Sequence, residues 1–154
     1  MSAVYAVHRD AFEISTDRAR LDMPLMLRFL QQSYWGRGLA PEQIVASIRN
    51  ALPFGVHHET AGQVGFARVV TDFARFAFLS DVFVLEAWRG RGLGVWLVDS
   101  ILRHPQLQTL TRWHLGTDDA HGLYEKFGFR RISGDRFMNL VPDRCAVSTV
   151  EPLD

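Results

Sequence analysis

Apolar residues recur along this chain in two different periods, and the switches between them divide it into elements. From Met23 to Ser33, the positions Met23, Met26, Leu27 and Leu30 share one face of a helix, with Asp22 placed to cap it and Pro24 in its first turn. After the Gly-containing stretch Trp35 to Ala40, Pro41 opens a second helix. Ile44, Val45 and Ile48 make its apolar face, and it ends near Asn50. Val64, Phe66, Arg68 and Val70 then alternate with Gly65, Ala67, Val69 and Thr71, which is the period of a strand. Phe76 to Leu85 reads as its hairpin partner across a turn at Asp72 to Arg75, apolar enough to be a central strand solvated on neither face. Leu93, Trp96, Leu97 and Ile101 return to the helical period directly after the glycines at 90, 92 and 94. Trp113 to Leu115 is a short strand, and Ala120, Leu123, Tyr124 and Phe127 form a last helical stripe that Gly128 terminates. Phe129 to Ile132 and Arg136 to Val141, separated by Ser133, Gly134 and Asp135, supply a closing hairpin.

The order is mixed α/β, and 154 residues suit a single domain, 1–154, with a polar tail after about residue 142. A chain 47% hydrophobic can build a sizeable core. Seventeen basic residues against 17 acidic ones leave no global field for a nucleic acid or an anionic membrane, so any polyanion must be gripped locally. Every basic residue except Lys126 is arginine, a bias that also suits fork-like phosphate contacts. The single cysteine, Cys145, excludes an intramolecular disulfide framework. His8, Arg9, Asp10 and Glu13 stand where a signal peptide would be apolar, and no stretch approaches a membrane span, so the expected compartment is the cytoplasm. The six histidines include no HExxH or i, i+4 pair, and no metal site is expected.

The residues Arg89, Gly90, Arg91, Gly92, Leu93 and Gly94 lie where the apolar strand hands over to a helix. Small residues there leave backbone N–H groups free to wrap an anion. The positive end of the helix dipole and the flanking guanidiniums favour a phosphate, most naturally a pyrophosphate. A P-loop is excluded because no Gly-Lys-Ser/Thr ending is present, and a dinucleotide fingerprint fails because position 97 is Leu.

Two motifs resemble those of the GNAT superfamily of acyl-CoA-dependent N-acyltransferases. Arg89, Gly92 and Gly94 match its Arg/Gln-x-x-Gly-x-Gly/Ala signature after the strand Val82-Phe83-Val84, and Leu123-Tyr124-Glu125-Lys126-Phe127-Gly128-Phe129 looks like its late helix-to-strand motif. The likeness covers roughly residues 12 to 140. It implies a largely antiparallel sheet, flanked by helices and splayed around coenzyme A, with acetyl-CoA as acyl donor. It also implies that the backbone of Phe83 and Val84 pairs with the pantetheine arm while the glycine turn takes the pyrophosphate. The family's tyrosine is matched by Tyr124, whose implied role is to protonate the departing thiolate. Reference pKa values of about 10 for a phenol and 8.5 for a thiol leave little obstacle to that transfer. The other reading makes Tyr124 a core residue with Leu123 and Phe127. Many relatives carry Asn seven residues earlier; this chain has Thr117, which, like Asp118, also suits a helix cap.

An amine attacking a thioester must lose a proton. Asp81, inside an otherwise apolar run, is the first candidate to accept it, although an Asp at a strand kink satisfied by neighbouring groups would look the same. Its strand parity places it with Leu79 and Phe83 unless a bulge, common in the family, intervenes. Asp72 reads as a turn former or as a rim contact for a substrate amine. Tyr34 and Trp35 fall in the loop that the family lays over the acceptor pocket, as a wall for a cationic amine or as a staple between helices. Cys145 has no local partner to activate it, which favours direct transfer over an acyl-cysteine. The expected activity is acetyl transfer to a primary amine, with a small molecule as acceptor. The alternatives are a protein lysine or N-terminal acetyltransferase, a coenzyme A binding or sensing module without turnover, and an interaction domain whose glycines only allow close helix packing. Exposed sheet edges offer a route to a homodimer.

Overall fold

Among the described residues, one six-stranded sheet forms with its strands in chain order: β1 (Ala6–Arg9), β2 (Phe12–Ser15), β3 (Leu52–His58), β4 (Gly62–Thr71), β5 (Phe76–Val84) and β6 (Arg112–His114). The computed structural model describes residues 3–142. Strands β1 to β5 are antiparallel to their neighbours, and β6 joins β5 in parallel. Sequence periodicity anticipated β4, β5 and β6 but not β1 to β3. Their signal is short: Ala6 and Val7 in β1, Phe12 and Ile14 in β2, Phe54 and Val56 in β3.

Among the described residues, four α-helices cover the two faces of the sheet. Helix α1 (Met23–Gln32) is capped by the Asp22 carboxylate, which accepts from the Leu25 amide at 3.0 Å, and α2 (Pro41–Arg49) opens on its proline. Met26, Leu30, Ile44 and Ile48 from these helices bury Phe66 and Phe83 on one face. On the other face, Leu93, Leu97 and Ile101 of α3 (Leu93–Leu102) and Tyr124 of α4 (His121–Glu125) pack on Phe54, Val56, Val69 and Leu79. Burial of this kind contributes about 1.5–3 kcal/mol per large side chain.

One irregularity decides which residues face which layer. Phe66 pairs with Phe83 and Arg68 with Ser80, so Ala67 alone opposes Asp81 and Val82. This is a β-bulge, with Asp81 at φ +53°. It reverses the strand's parity: Leu79 packs in the α3 layer, whereas Phe83 packs in the α1 layer and stacks on Phe29 with centroids 3.8 Å apart.

Two expectations are corrected. Strand β5 is neither central nor buried on both faces: it is fifth of six, and Phe76 and Phe78 are each 38% exposed. The apolar run reflects burial of Ala77, Leu79 and Phe83, while the alternate residues meet solvent near the sheet edge. The closing hairpin does not form; residues 129–142 contain no strand. Its would-be neighbour β6 is three residues long and offers little backbone to pair with, and Met138 and Leu140 are left 96% and 84% exposed. The expected tail after about 142, including Cys145, lies outside the described residues.

Candidate active site

The glycine turn begins where β5 stops. The Leu85 amide donates to the Val64 carbonyl at 2.8 Å, a single 3₁₀ turn spans Glu86–Trp88, and Arg89 folds back so that its Nε donates to the Val84 carbonyl at 2.9 Å. Gly90 and Gly92 have φ of +80° and +76°, a region that costs an L-residue about 1–2 kcal/mol. Gly92 is the N-cap of α3, and its carbonyl receives the Trp96 amide at 3.1 Å. Among the described residues, no backbone or side-chain acceptor takes the amides of Gly90, Arg91, Gly92, Leu93, Gly94 or Val95. A row of donors therefore coincides with the positive end of the helix dipole. Leu93 anchors the turn from below, its side chain 2% exposed in the core.

Next to this turn, β5 is paired on one side only. Phe83 and Val84 are registered with Phe66 and Gly65 of β4, whereas β6 meets β5 only over Phe76–Phe78. Beyond Phe78, no strand among the described residues pairs with the outer edge of β5. Glycine at 65 is required by close approach, since a Cβ there would lie 2.9 Å from the Phe83 carbonyl oxygen.

The bulge aims Asp81 at two other elements. Its Oδ2 accepts from Arg68 Nε at 2.5 Å and its Oδ1 from the Trp35 indole Nε1 at 3.0 Å. Arg68 is the lone charge in the alternating apolar pattern of β4, a signal that could have identified it as Asp81's partner and did not. Trp35 touches the Tyr34 ring edge-on at 5.0 Å, and the Tyr34 hydroxyl accepts from the Asp118 amide at 3.3 Å. The loop between α1 and α2 thus reaches both β5 and the segment leading into α4. Phe29, stacked on Phe83, lies 6.2 Å from Trp35 and continues this aromatic wall.

Tyr124 is 8% exposed, and its hydroxyl makes no hydrogen bond with the protein among the described residues. Burial, reinforced by the Tyr34 phenol and Asp119, pushes its pKa up to about 12. It lines a groove of about 1000 Å³ bounded by Trp113, Leu115, Phe129 and Arg130. Thr117 accepts the Ala120 amide at 3.0 Å in the turn that leads into α4. Asp72 stands apart at the far end of the β4–β5 hairpin. Its Oδ1 accepts from the Ala74, Arg75 and Phe76 amides, which hold its pKa down at about 2. The structure therefore brings Tyr34, Trp35, Asp81 and Phe83 together, sets the glycine turn at the end of the same strand, and leaves Asp72 in its own turn. Among the described residues, no three His, Cys, Asp or Glu side chains gather as metal ligands, and no helix is long and apolar enough to cross a membrane.

Comparison with known proteins places this geometry among relatives. The family model for the acetyltransferase (GNAT) domain matches residues 50–131. A crystal structure from Xanthomonas campestris pv. campestris, described as an acetyltransferase of the GNAT family, is 38% identical, with 90% of this chain and 95% of that chain covered at a TM-score of 0.75. A protein from Gibberella zeae described as an acetyltransferase is 24% identical over 135 residues, which is 70% of this chain and 76% of that protein. Glucosamine-6-phosphate N-acetyltransferase from Arabidopsis thaliana shares the fold at 17% identity and a TM-score of 0.58, covering 84% and 99% of the two chains.

Proposed function

Because the chain belongs to the GNAT acetyltransferase family, we propose that it transfers the acetyl group of acetyl-CoA directly to the primary amine of a small molecule. The observation that carries this reading is the row of unpaired amides from Gly90 to Val95, set at the end of a strand whose outer edge is open. The donors suit a diphosphate, and the free edge at Phe83 and Val84 suits the amide groups of a pantetheine arm. The thioester supplies an activated acyl carbon and a thiolate leaving group.

Tyr124 keeps its proton across the physiological range and donates a hydrogen bond to the sulfur as the C–S bond breaks. Asp81 receives the amine: each carboxylate oxygen already accepts one hydrogen bond and retains a lone pair for an amine N–H. As the N–C bond forms, the surplus proton of the nitrogen passes to that carboxylate and on to solvent, and the sulfur leaves as a thiolate that takes its proton from solvent. Tyr34 and Trp35, 46% and 38% exposed, offer π faces to a cationic acceptor. A small acceptor fits this aromatic wall better than a basic protein tail does, because the chain's balanced charge provides no extended acidic track.

The test is thiol release from acetyl-CoA by the purified protein across a panel of small primary amines and lysine peptides. Turnover with a small amine supports the proposal. Turnover with peptides alone transfers the reading to a protein acetyltransferase, and coenzyme binding without turnover makes the chain a sensing module.

A further inference from the structure

Strand β1 ends beside the glycine turn, although 82 positions separate Arg9 from Arg91. The Arg9 Nη2 donates to the Arg91 carbonyl at 3.4 Å, and the same nitrogen would lie 3.8 Å from a Cβ built on Gly92. Its guanidinium carbon sits 4.7 Å from the centroid of the Trp96 ring on α3. Among the described residues, Arg9 has no carboxylate within ion-pairing distance, the ion pairs being those of Glu13, Asp81, Asp99 and Glu125. An indole holds a guanidinium in place without neutralising it, and one long contact to a carbonyl leaves most of the five N–H donors unused. Arg91 is held in the same manner over Trp88 at 5.0 Å. A positioned, unneutralised cation at the mouth of a row of free amides complements an anion that the amides also select.

We propose that Arg9 is a phosphate ligand of the coenzyme, carried to the glycine turn by β1 and braced on Trp96. The proposal rests on the reading of that turn as the coenzyme site. It extends the binding surface to a strand that lies outside the residues matched by the family model.

The experiment is calorimetric titration of coenzyme A and of 3′-dephospho-coenzyme A into the wild type, Arg9→Met and Arg9→Lys. Arg9→Met retains an unbranched stem over Trp96 and loses the charge. It is expected to raise Kd for coenzyme A about tenfold, the size of one charge-assisted hydrogen bond. The difference should narrow at high salt, KM for acetyl-CoA should rise with Kd while kcat at saturation holds, and Arg9→Lys should recover part of the loss. A loss seen only with coenzyme A puts Arg9 on the 3′-phosphate, and an equal loss with both ligands puts it on the diphosphate; either supports the proposal. If folded Arg9→Met binds both ligands within about twofold of the wild type, Arg9 is only a tie between β1 and α3 and the proposal is overturned. Wild-type protein that binds neither ligand would instead remove the coenzyme reading of the turn, and the role of Arg9 with it.

Discussion

Replacing Tyr124 by Phe removes one oxygen and leaves a ring that can keep its edge-on contact with Phe129 at 5.9 Å. The lost hydroxyl has no protein partner among the described residues, so its removal is expected to leave stability nearly unchanged. The consequence for rate follows from the raised pKa of about 12. Full proton transfer from such a phenol to an ordinary thiolate at 8.5 is uphill by about 3.5 units, or roughly 5 kcal/mol. Donation of a hydrogen bond to the developing negative charge needs no such transfer and contributes about 2–3 kcal/mol. Tyr124→Phe should therefore lower kcat about 30- to 150-fold, with the affinity for coenzyme A unchanged. Steady-state thiol release measured from pH 6 to 10, with calorimetry on the same samples, checks both parts. Wild type and variant should have the same pH profile, because the phenol does not titrate in that range. A variant within about threefold of wild type would refute the assignment, as would an alkaline limb near pH 10 that the variant lacks.

Three further outcomes are expected. Asp81→Asn suits the positive φ but strands the Arg68 guanidinium, whose side chain is only 18% exposed; chemical melts should show a loss of about 3 kcal/mol, and KM for the amine should rise more than KM for acetyl-CoA. An unchanged amine KM would remove Asp81 from the acceptor site. Gly92→Ala forces an L-residue to φ +76° at a cost of about 1–2 kcal/mol, and by tilting the amide row it should weaken coenzyme binding, measured by titration against a melting curve. His57, 5% exposed with Nε2 unpartnered, is held neutral by burial and by nearby Arg20, which lower its pKa from 6.5 to about 4. The unfolded chain takes up that proton near pH 6.5 and the folded chain only near 4. Stability is thus full above 6.5 and falls by up to about 3 kcal/mol as the pH drops through that window. Urea melts at pH 7 and pH 4.5 should show the loss, and His57→Gln should flatten it.

Much of the candidate site's geometry was legible because it is set by neighbours in the chain. Glycines at 90 and 92 allow left-handed backbone, Leu93 starts an apolar stripe, and their spacing after Val82-Phe83-Val84 announces a strand, a turn and a helix N-terminus without knowledge of any distant residue. The same holds for the Asp22 cap and for Asp72, whose three amide partners lie within four positions of it. Arg68 stood out as the one charge in β4, but nothing near it in the chain names Asp81 as its partner, and Arg9 carried no local signal at all.

By itself, then, the sequence determined the periods of its elements, the caps and the glycine turn, since each depends on backbone preferences and apolar spacing over a few residues. Tertiary structure alone decided the rest. The bulge at Asp81 reverses strand parity because β4 supplies one residue where β5 supplies two, and this sends Phe83 to α1 and Asp81 to Trp35 and Arg68. Burial among its neighbours makes Tyr124 a phenol of pKa about 12. Residues 129–142 show the same dependence from the other side: Phe129, Ile132, Phe137 and Val141 suit strands, but a strand exists only when a neighbouring edge pairs with it, and the three residues of β6 offer little edge.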